Sequence, residues 1–159
     1  MHVTVIAVGK LKEKYLINGC NEYLKRLKRY AKVKIVELSD EPSSANASPA
    51  EEEGVKQKEG QKILSAIPAN SYAIALDVTG ESVSSPQLAK NIEKLAIQGR
   101  SSLTFIIGGS LGLHQQVLDK AAWRLSFSSF TFPHQLIRLI LLEQVYRSFK
   151  IIKGETYHK

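Results

Sequence analysis

The residues best suited to chemistry lie in the last third of the chain. Phe105-Ile-Ile-Gly-Gly-Ser-Leu-Gly-Leu-His114 is an apolar run ending in paired glycines. Phe127-Ser-Ser-Phe-Thr-Phe-Pro-His-Gln135 is an aromatic, hydroxyl-rich loop that leads into a long apolar segment. Two strand ends of this kind, side by side, make a concave site rich in backbone donors and acceptors, with almost no fixed charge. Such a site suits an aromatic, weakly charged ligand better than a naked phosphate.

Gly108-Gly109-Ser110-Leu111-Gly112 is not a dinucleotide fingerprint. Its spacing is wrong, it follows the fourth predicted strand rather than the first, and no acidic ribose partner follows about 20 residues later. A phosphate loop of the Gly-x4-Gly-Lys-Ser/Thr kind is also missing. Paired glycines after a strand mark a tight turn or a close backbone approach. Leu76, Gly108 and the stretch Phe127, Ser128, Ser129, Phe130, Thr131 and Phe132 fall at or just after predicted strand ends, where open α/β sheets bind ligands. There the aromatics can wall an adenine slot while loop amides and hydroxyls satisfy the ring edges; the other reading is that the Phe residues are core. His134 either caps and packs the last helix or touches the substrate. Arg138 and Arg147 each need a partner, Glu143 of the same helix or a phosphate. The tail Gly154-Glu155-Thr156-Tyr157-His158-Lys159 combines a stacking ring, an imidazole and an ammonium, a composition suited to RNA, although terminal hexapeptides usually fray.

The elements that must position these residues alternate. Val3–Val8, closed by Gly9, reads as a buried strand. Leu16, Cys20, Tyr23, Leu24, Leu27 and Tyr30 recur at helical spacing between about Leu11 and Tyr30. Val33–Leu38 is the second predicted strand, Ser39–Ala50 a surface loop and Glu51–Ile67 a helix opened by acids. Tyr72–Val78 is the third strand, ended by Thr79-Gly80. Ser84-Ser85-Pro86 starts a helix that buries Leu88, Ala89, Ile92, Leu95 and Ala96. Leu103–Ile107, continuously apolar, is predicted to be central. His114–Ala121 is a short helix, Trp123–Phe127 the fifth strand and His134–Lys153 the last helix. Helices between short buried strands predict one α/β domain: a mainly parallel five- to six-stranded sheet covered on both faces. The last helix is apolar nearly all round, which implies burial on several sides. A symmetric homodimer accounts for that; the other account is a helix lying under the central strands.

At 159 residues one domain buries roughly 68–70% of its unfolded surface, so no metal or disulfide staple is needed. The single Cys20 allows neither an intrachain disulfide nor a zinc site and favours a reducing compartment. Charge arrives too early for a signal peptide, and no apolar run approaches the roughly 18 residues of a membrane span. A soluble cytoplasmic protein is expected. The net charge of +7 points to a polyanionic partner. Lys10, Lys12, Lys14, Lys25, Arg26, Lys28, Arg29, Lys32 and Lys34 crowd the first helix and its flanks. They form either an RNA contact or a solvated face.

The chain resembles the small SPOUT-class methyltransferases of the ribosomal RNA large subunit methyltransferase H family, which modify a pseudouridine. The resemblance spans essentially the full length. It rests on Ala7-Val-Gly-Lys-Leu-Lys12, Phe105-Ile-Ile-Gly-Gly-Ser110, Ser126-Phe127, Thr131-Phe-Pro-His-Gln135, Arg138, Leu142-Glu-Gln-Val-Tyr-Arg147 and Tyr157-His-Lys159. Leu111 departs from it, since many members carry asparagine there; the backbone role of the loop survives. The resemblance implies a C-terminal trefoil knot and an obligate dimer whose pockets are completed by the partner chain. It implies S-adenosylmethionine as donor, N3 of pseudouridine as acceptor, and no metal. His134, Arg147 or His158 would then manage the imide proton, with Tyr157 stacking on the target base. Lys25, Arg26, Arg138 and Lys159 would contact ribosomal RNA. Two other readings exist: a ribosome-binding module without catalysis, which leaves the glycine-paired strand end unexplained, and a Rossmann-like enzyme, which lacks its fingerprint.

Overall fold

A computed structural model describes residues 1–159. The order of elements is β1 (His2–Val8), α1 (Lys14–Leu27), β2 (Lys32–Leu38), α2 (Pro49–Ala66), β3 (Tyr72–Ser82), α3 (Ser85–Ile97), β4 (Ser102–Ile107), α4 (Gln115–Lys120), β5 (Trp123–Ser126) and α5 (His134–Ile152). The five strands form one sheet in the order β2-β1-β4-β3-β5, parallel throughout. β4 is central, as its unbroken apolar run predicts. Alternation along β1 divides the core. Val3, Val5 and Ala7 join the cluster of α1, α3 and α5, while Ile6 and Val8 join that of α2 and α4. Helices therefore cover both faces.

Local chemistry sets the boundaries. α2 starts two residues before the predicted Glu51 because the Ser48 hydroxyl accepts the Glu51 N–H at 3.2 Å and Pro49 fits the first turn. α3 carries the expected cap as a full box, with Ser84 and Gln87 each bonding the other's backbone; Ala96, expected inside, is exposed. α1 is shorter than its pattern at both ends. The Leu11–Lys12 segment belongs instead to a loop in which the Lys12 N–H donates to Gln135 Oε1 at 3.2 Å.

β3 departs most from expectation. Thr79-Gly80 does not end it: the strand bulges and pairs with β5 again, so that Leu125 opposes both Leu76 and Glu81. Gly80 permits this return. A Cβ there would sit 2.7 Å from the Arg124 carbonyl carbon and oxygen, so only glycine lets the two backbones approach this closely.

α5 lies between α1 and α3, where Gly19 of α1 is in tight contact with Leu139. Its buried stripe includes Leu141, Leu142, Val145 and Phe149, whereas Leu136, Leu139 and Ile140 stay partly exposed. Within the chain the helix is thus buried on one side, short of the all-round burial its composition predicts.

Candidate active site

The C-terminal ends of β3, β4 and β5 converge on a cleft of about 210 Å³. Leu76, Gly108, Phe127, Ser128, Phe130, Thr131 and Phe132, all expected there, line it, and His134 and Ile137 of α5 close one side. Ser129 is exposed and stands outside the lining. β5 stops at Ser126, which frees Phe127 to turn into the cleft wall, where it is half-buried. Phe130 is 76% exposed on the rim, with its N–H held by the Ser128 hydroxyl at 3.0 Å. It is neither core nor a deep wall.

Gly108 is needed for packing. A Cβ on it would lie 2.9 Å from the Gly112 carbonyl carbon and oxygen and 3.0 Å from Leu113. The turn is closed by the Gly112 N–H donating to Gly109 O at 3.1 Å, with Gly112 at φ +84°. Such a turn needs glycine at the left-handed position, and it brings bare backbone to the cleft.

The cleft is not free of charge, contrary to expectation. Asp77 lines it, its carboxylate accepting from the Thr79 hydroxyl at 2.7 Å and the Thr79 N–H at 3.3 Å. Reading Tyr72–Val78 as a plain strand hid this residue. The signal available was an acid directly after Leu76 at a strand's C-terminal end, the position at which open parallel sheets bind ligands.

His134 stands where the first turn of α5 meets the β1 loop, its Nε2 about 3.6 Å from the Cβ position of Gly9. Burial holds the imidazole below its ordinary pKa, and the nearby Arg138 and Lys12 charges act in the same direction against Asp40. These influences favour the uncharged form of the ring.

Arg138 is corrected from the RNA-contact set. It is 3% exposed, its guanidinium donating to Glu37 and, at 2.9 Å, to Gly9 O, while its Nε is buried without a partner. A side chain so enclosed ties β1, β2 and α5 together and cannot reach a phosphate. Lys25 and Arg26 are exposed on α1. Arg26 is taken up by Glu22 at 2.9 Å and lies over the Tyr23 and Tyr146 rings. Lys159 is exposed at the terminus.

The tail is docked on its own chain. Arg147 grips Glu143 through Nε at 3.0 Å and Nη2 at 2.7 Å, so the carboxylate rather than a phosphate is its partner. The Tyr157 ring packs edge-on to Tyr146 at 4.9 Å, with the Arg147 guanidinium 4.7 Å above it. Its hydroxyl donates to Glu143 at 3.0 Å, and burial, together with the Tyr23 and Glu143 hydrogen bonds, pushes its pKa upward. His158 Nδ1 lies 3.2 Å from Arg147 Nη1. Glu155 accepts from Tyr30 at 2.6 Å and pairs with Lys150.

The four expected catalytic residues therefore fall into two groups. His134 is at the cleft; Arg147, Tyr157 and His158 gather 13 residues further along α5, roughly 20 Å away at 1.5 Å per residue. The single chain does not bring them together. No helix is long and apolar enough to cross a membrane.

The family model described as "Predicted SPOUT methyltransferase" matches residues 1–158. Proteins named ribosomal RNA large subunit methyltransferase H are 57% identical in Halothermothrix orenii, 55% in Carboxydothermus hydrogenoformans and 55% in Clostridioides difficile, each over 159 residues covering 100% of both chains. A solved structure of a probable methylase family protein from Haemophilus influenzae Rd KW20 superposes with a TM-score of 0.54 at 9% identity, over 99% of this chain and 70% of that one. That likeness concerns the fold alone; full-length identity above one half carries the assignment. The chain belongs to the SPOUT methyltransferase family, within the group of ribosomal RNA large subunit methyltransferase H proteins.

Proposed function

We propose that this protein transfers a methyl group from S-adenosylmethionine to N3 of a pseudouridine in large-subunit ribosomal RNA, acting in the cytoplasm as a homodimer with its C-terminal segment threaded as a trefoil knot. One observation carries the reading: a glycine-backed, partly aromatic cleft with a single carboxylate and a histidine at its edge. The names of the full-length relatives support the ribosomal RNA substrate.

The residues fit the donor. Gly108 lets the Gly109–Gly112 turn fold close and line the cleft with backbone, Phe127 and Phe132 supply apolar walls, and Asp77 complements a positive charge. When bound, the donor supplies a methyl group already activated by its positive sulfur. What the chain must add is alignment and exclusion of water. N3 of the base carries a proton that has to leave, and the ring nitrogen of His134 at the cleft edge would accept it. Arg147 and Glu143 fix His158 and Tyr157 as a preformed unit. The roughly 20 Å between that unit and His134 supports delivery of the tail of one copy to the cleft of the other. Partly exposed Leu136, Leu139 and Ile140 on α5 offer the seam for such a pairing.

The experiment is tritiated methyl transfer to ribosomes lacking the modification, run with mixed variants. His134→Ala and a chain lacking residues 156–159 should each be inactive alone. Random mixing makes half the dimers hybrid, each with one intact composite site, so about a quarter of wild-type activity should return. A mixture as inactive as its parents would refute the shared site, and wild-type protein that neither binds the donor nor labels ribosomes would refute the function.

A further inference from the structure

Behind the cleft, α2 presents an acid where its pattern calls for an apolar residue. Val55, Glu59 and Ile63 are successive i, i+4 positions on one helix face. Glu59 is 5% exposed and Ile63 1%. A carboxyl so deep is costly unless its oxygens are used. One is: Glu59 Oε2 accepts the Glu41 N–H at 3.0 Å, from the segment leaving β2. Both oxygens also bear on Gly109, whose Cβ position is 3.1 Å from Oε1 and 3.3 Å from Oε2, with Val8 at 3.3 Å on the remaining side. The neighbouring Gly60 lets α2 approach His114, at the far end of the same loop, to 3.1 Å from the glycine's Cβ position. The nearest cation, Lys62, is engaged elsewhere, with the Glu41 carboxylate at 2.7 Å and with Ser39 O and Oγ at 3.0 Å each. The Glu59 carboxyl therefore joins two loops, hydrogen-bonding the Glu41 amide of one and packing against Gly109 of the other, and is not half of an ion pair.

We propose that Glu59 is a positioning residue for the donor cleft, pinning the Gly109 turn and the Ser39–Glu41 segment to one another from behind. This rests on the donor-binding reading of the cleft. Gly109 is one peptide bond from Gly108, which lines the cleft, so a displaced Glu59 moves the surface the donor would touch. Asp40, beside Glu41, bears electrostatically on both Glu59 and His134. Burial pushes the Glu59 carboxyl above the usual range, with Asp40 and Glu41 adding to it against the Glu41 amide and Lys62, as expected of an acid kept for its geometry.

Two variants test this. Glu59→Leu keeps the volume and removes the acceptor; Glu59→Gln keeps an acceptor for the Glu41 N–H. Calorimetry with S-adenosylmethionine should show Glu59→Leu binding about tenfold more weakly, with Glu59→Gln recovering most of the loss. Amide exchange in ligand-free Glu59→Leu should speed up over residues 39–41 and 108–112 while the thermal midpoint holds or rises, because an apolar group replaces a buried acid. A residue that only fills space would leave affinity and exchange unchanged, because leucine fills the same volume. Glu59→Leu binding the donor as tightly as wild type, or leaving exchange in both loops unaltered, would overturn the proposal. Should wild-type protein bind no donor, the cleft reading fails, and ligand-free exchange still decides whether Glu59 joins the loops.

Discussion

Replacing Gly108 by alanine is the sharpest probe of the cleft. The added methyl would stand 2.9 Å from the Gly112 carbonyl carbon and oxygen, where ordinary contact begins at 3.4 Å. The Gly109–Gly112 turn must therefore retreat by about 0.5 Å, the difference of those two distances. Overpacking of this kind costs about 1–3 kcal/mol. In the free protein much of it relaxes, because Ser110 and Gly112 are exposed and can shift. A bound donor needs the turn in place, so the cost appears as lost affinity, about 5- to 150-fold in Kd. Calorimetry with S-adenosylmethionine measures this, and urea unfolding should register a smaller loss. Gly54→Ala is the control: its Cβ meets nothing within 4 Å in α2, so it should add about 0.5–1 kcal/mol of stability and leave Kd alone. A Gly108→Ala protein with wild-type Kd would show that this turn does not shape the donor site.

Three further outcomes follow from the same geometry. Arg138→Met removes the Glu37 pair and the bond to Gly9 O, and should lower unfolding stability by about 2–4 kcal/mol without altering the salt dependence of RNA binding. Because His134 is held below its ordinary pKa, the unfolded chain binds more protons than the folded one in the window just under about 6.5. Stability is therefore retained above that pH and eroded as pH falls through the window, and His134→Gln should flatten the slope; for the same reason the acid limb of kcat/KM should lie below 6.5. Lys25→Glu should weaken ribosomal RNA binding and reduce its log–log salt slope by about 1. Arg26→Glu should do less, since Arg26 is already engaged by Glu22; an unchanged slope for Lys25→Glu would make that face merely solvated.

Much of this molecule is legible along the chain. The apolar run Leu103–Ile107 announces a central strand because a strand buried on both faces has no polar alternation to show. Ser84-Ser85-Pro86 announces a helix start because capping is a local transaction among neighbouring residues. The cleft's glycines and its Phe127–Phe132 loop are legible for a related reason: backbone approach and strand ends leave composition signatures at fixed places. Tertiary structure alone decides the rest. Periodicity says that a position faces inward and not what it meets there. Thus Arg138 finds Glu37 across 101 residues, Glu59 finds the Gly109 turn, and Gly80 lets β3 return to β5 beyond its expected end. Each of these pairings sets where a charge or a carbonyl sits, and each depends on strand order in the sheet, which no local pattern encodes. Hence the chain alone settles which elements exist and which loops gather at the strand ends. Folding alone settles which charges are spent on the scaffold and which remain for the substrate, because that depends on contacts between residues far apart in sequence.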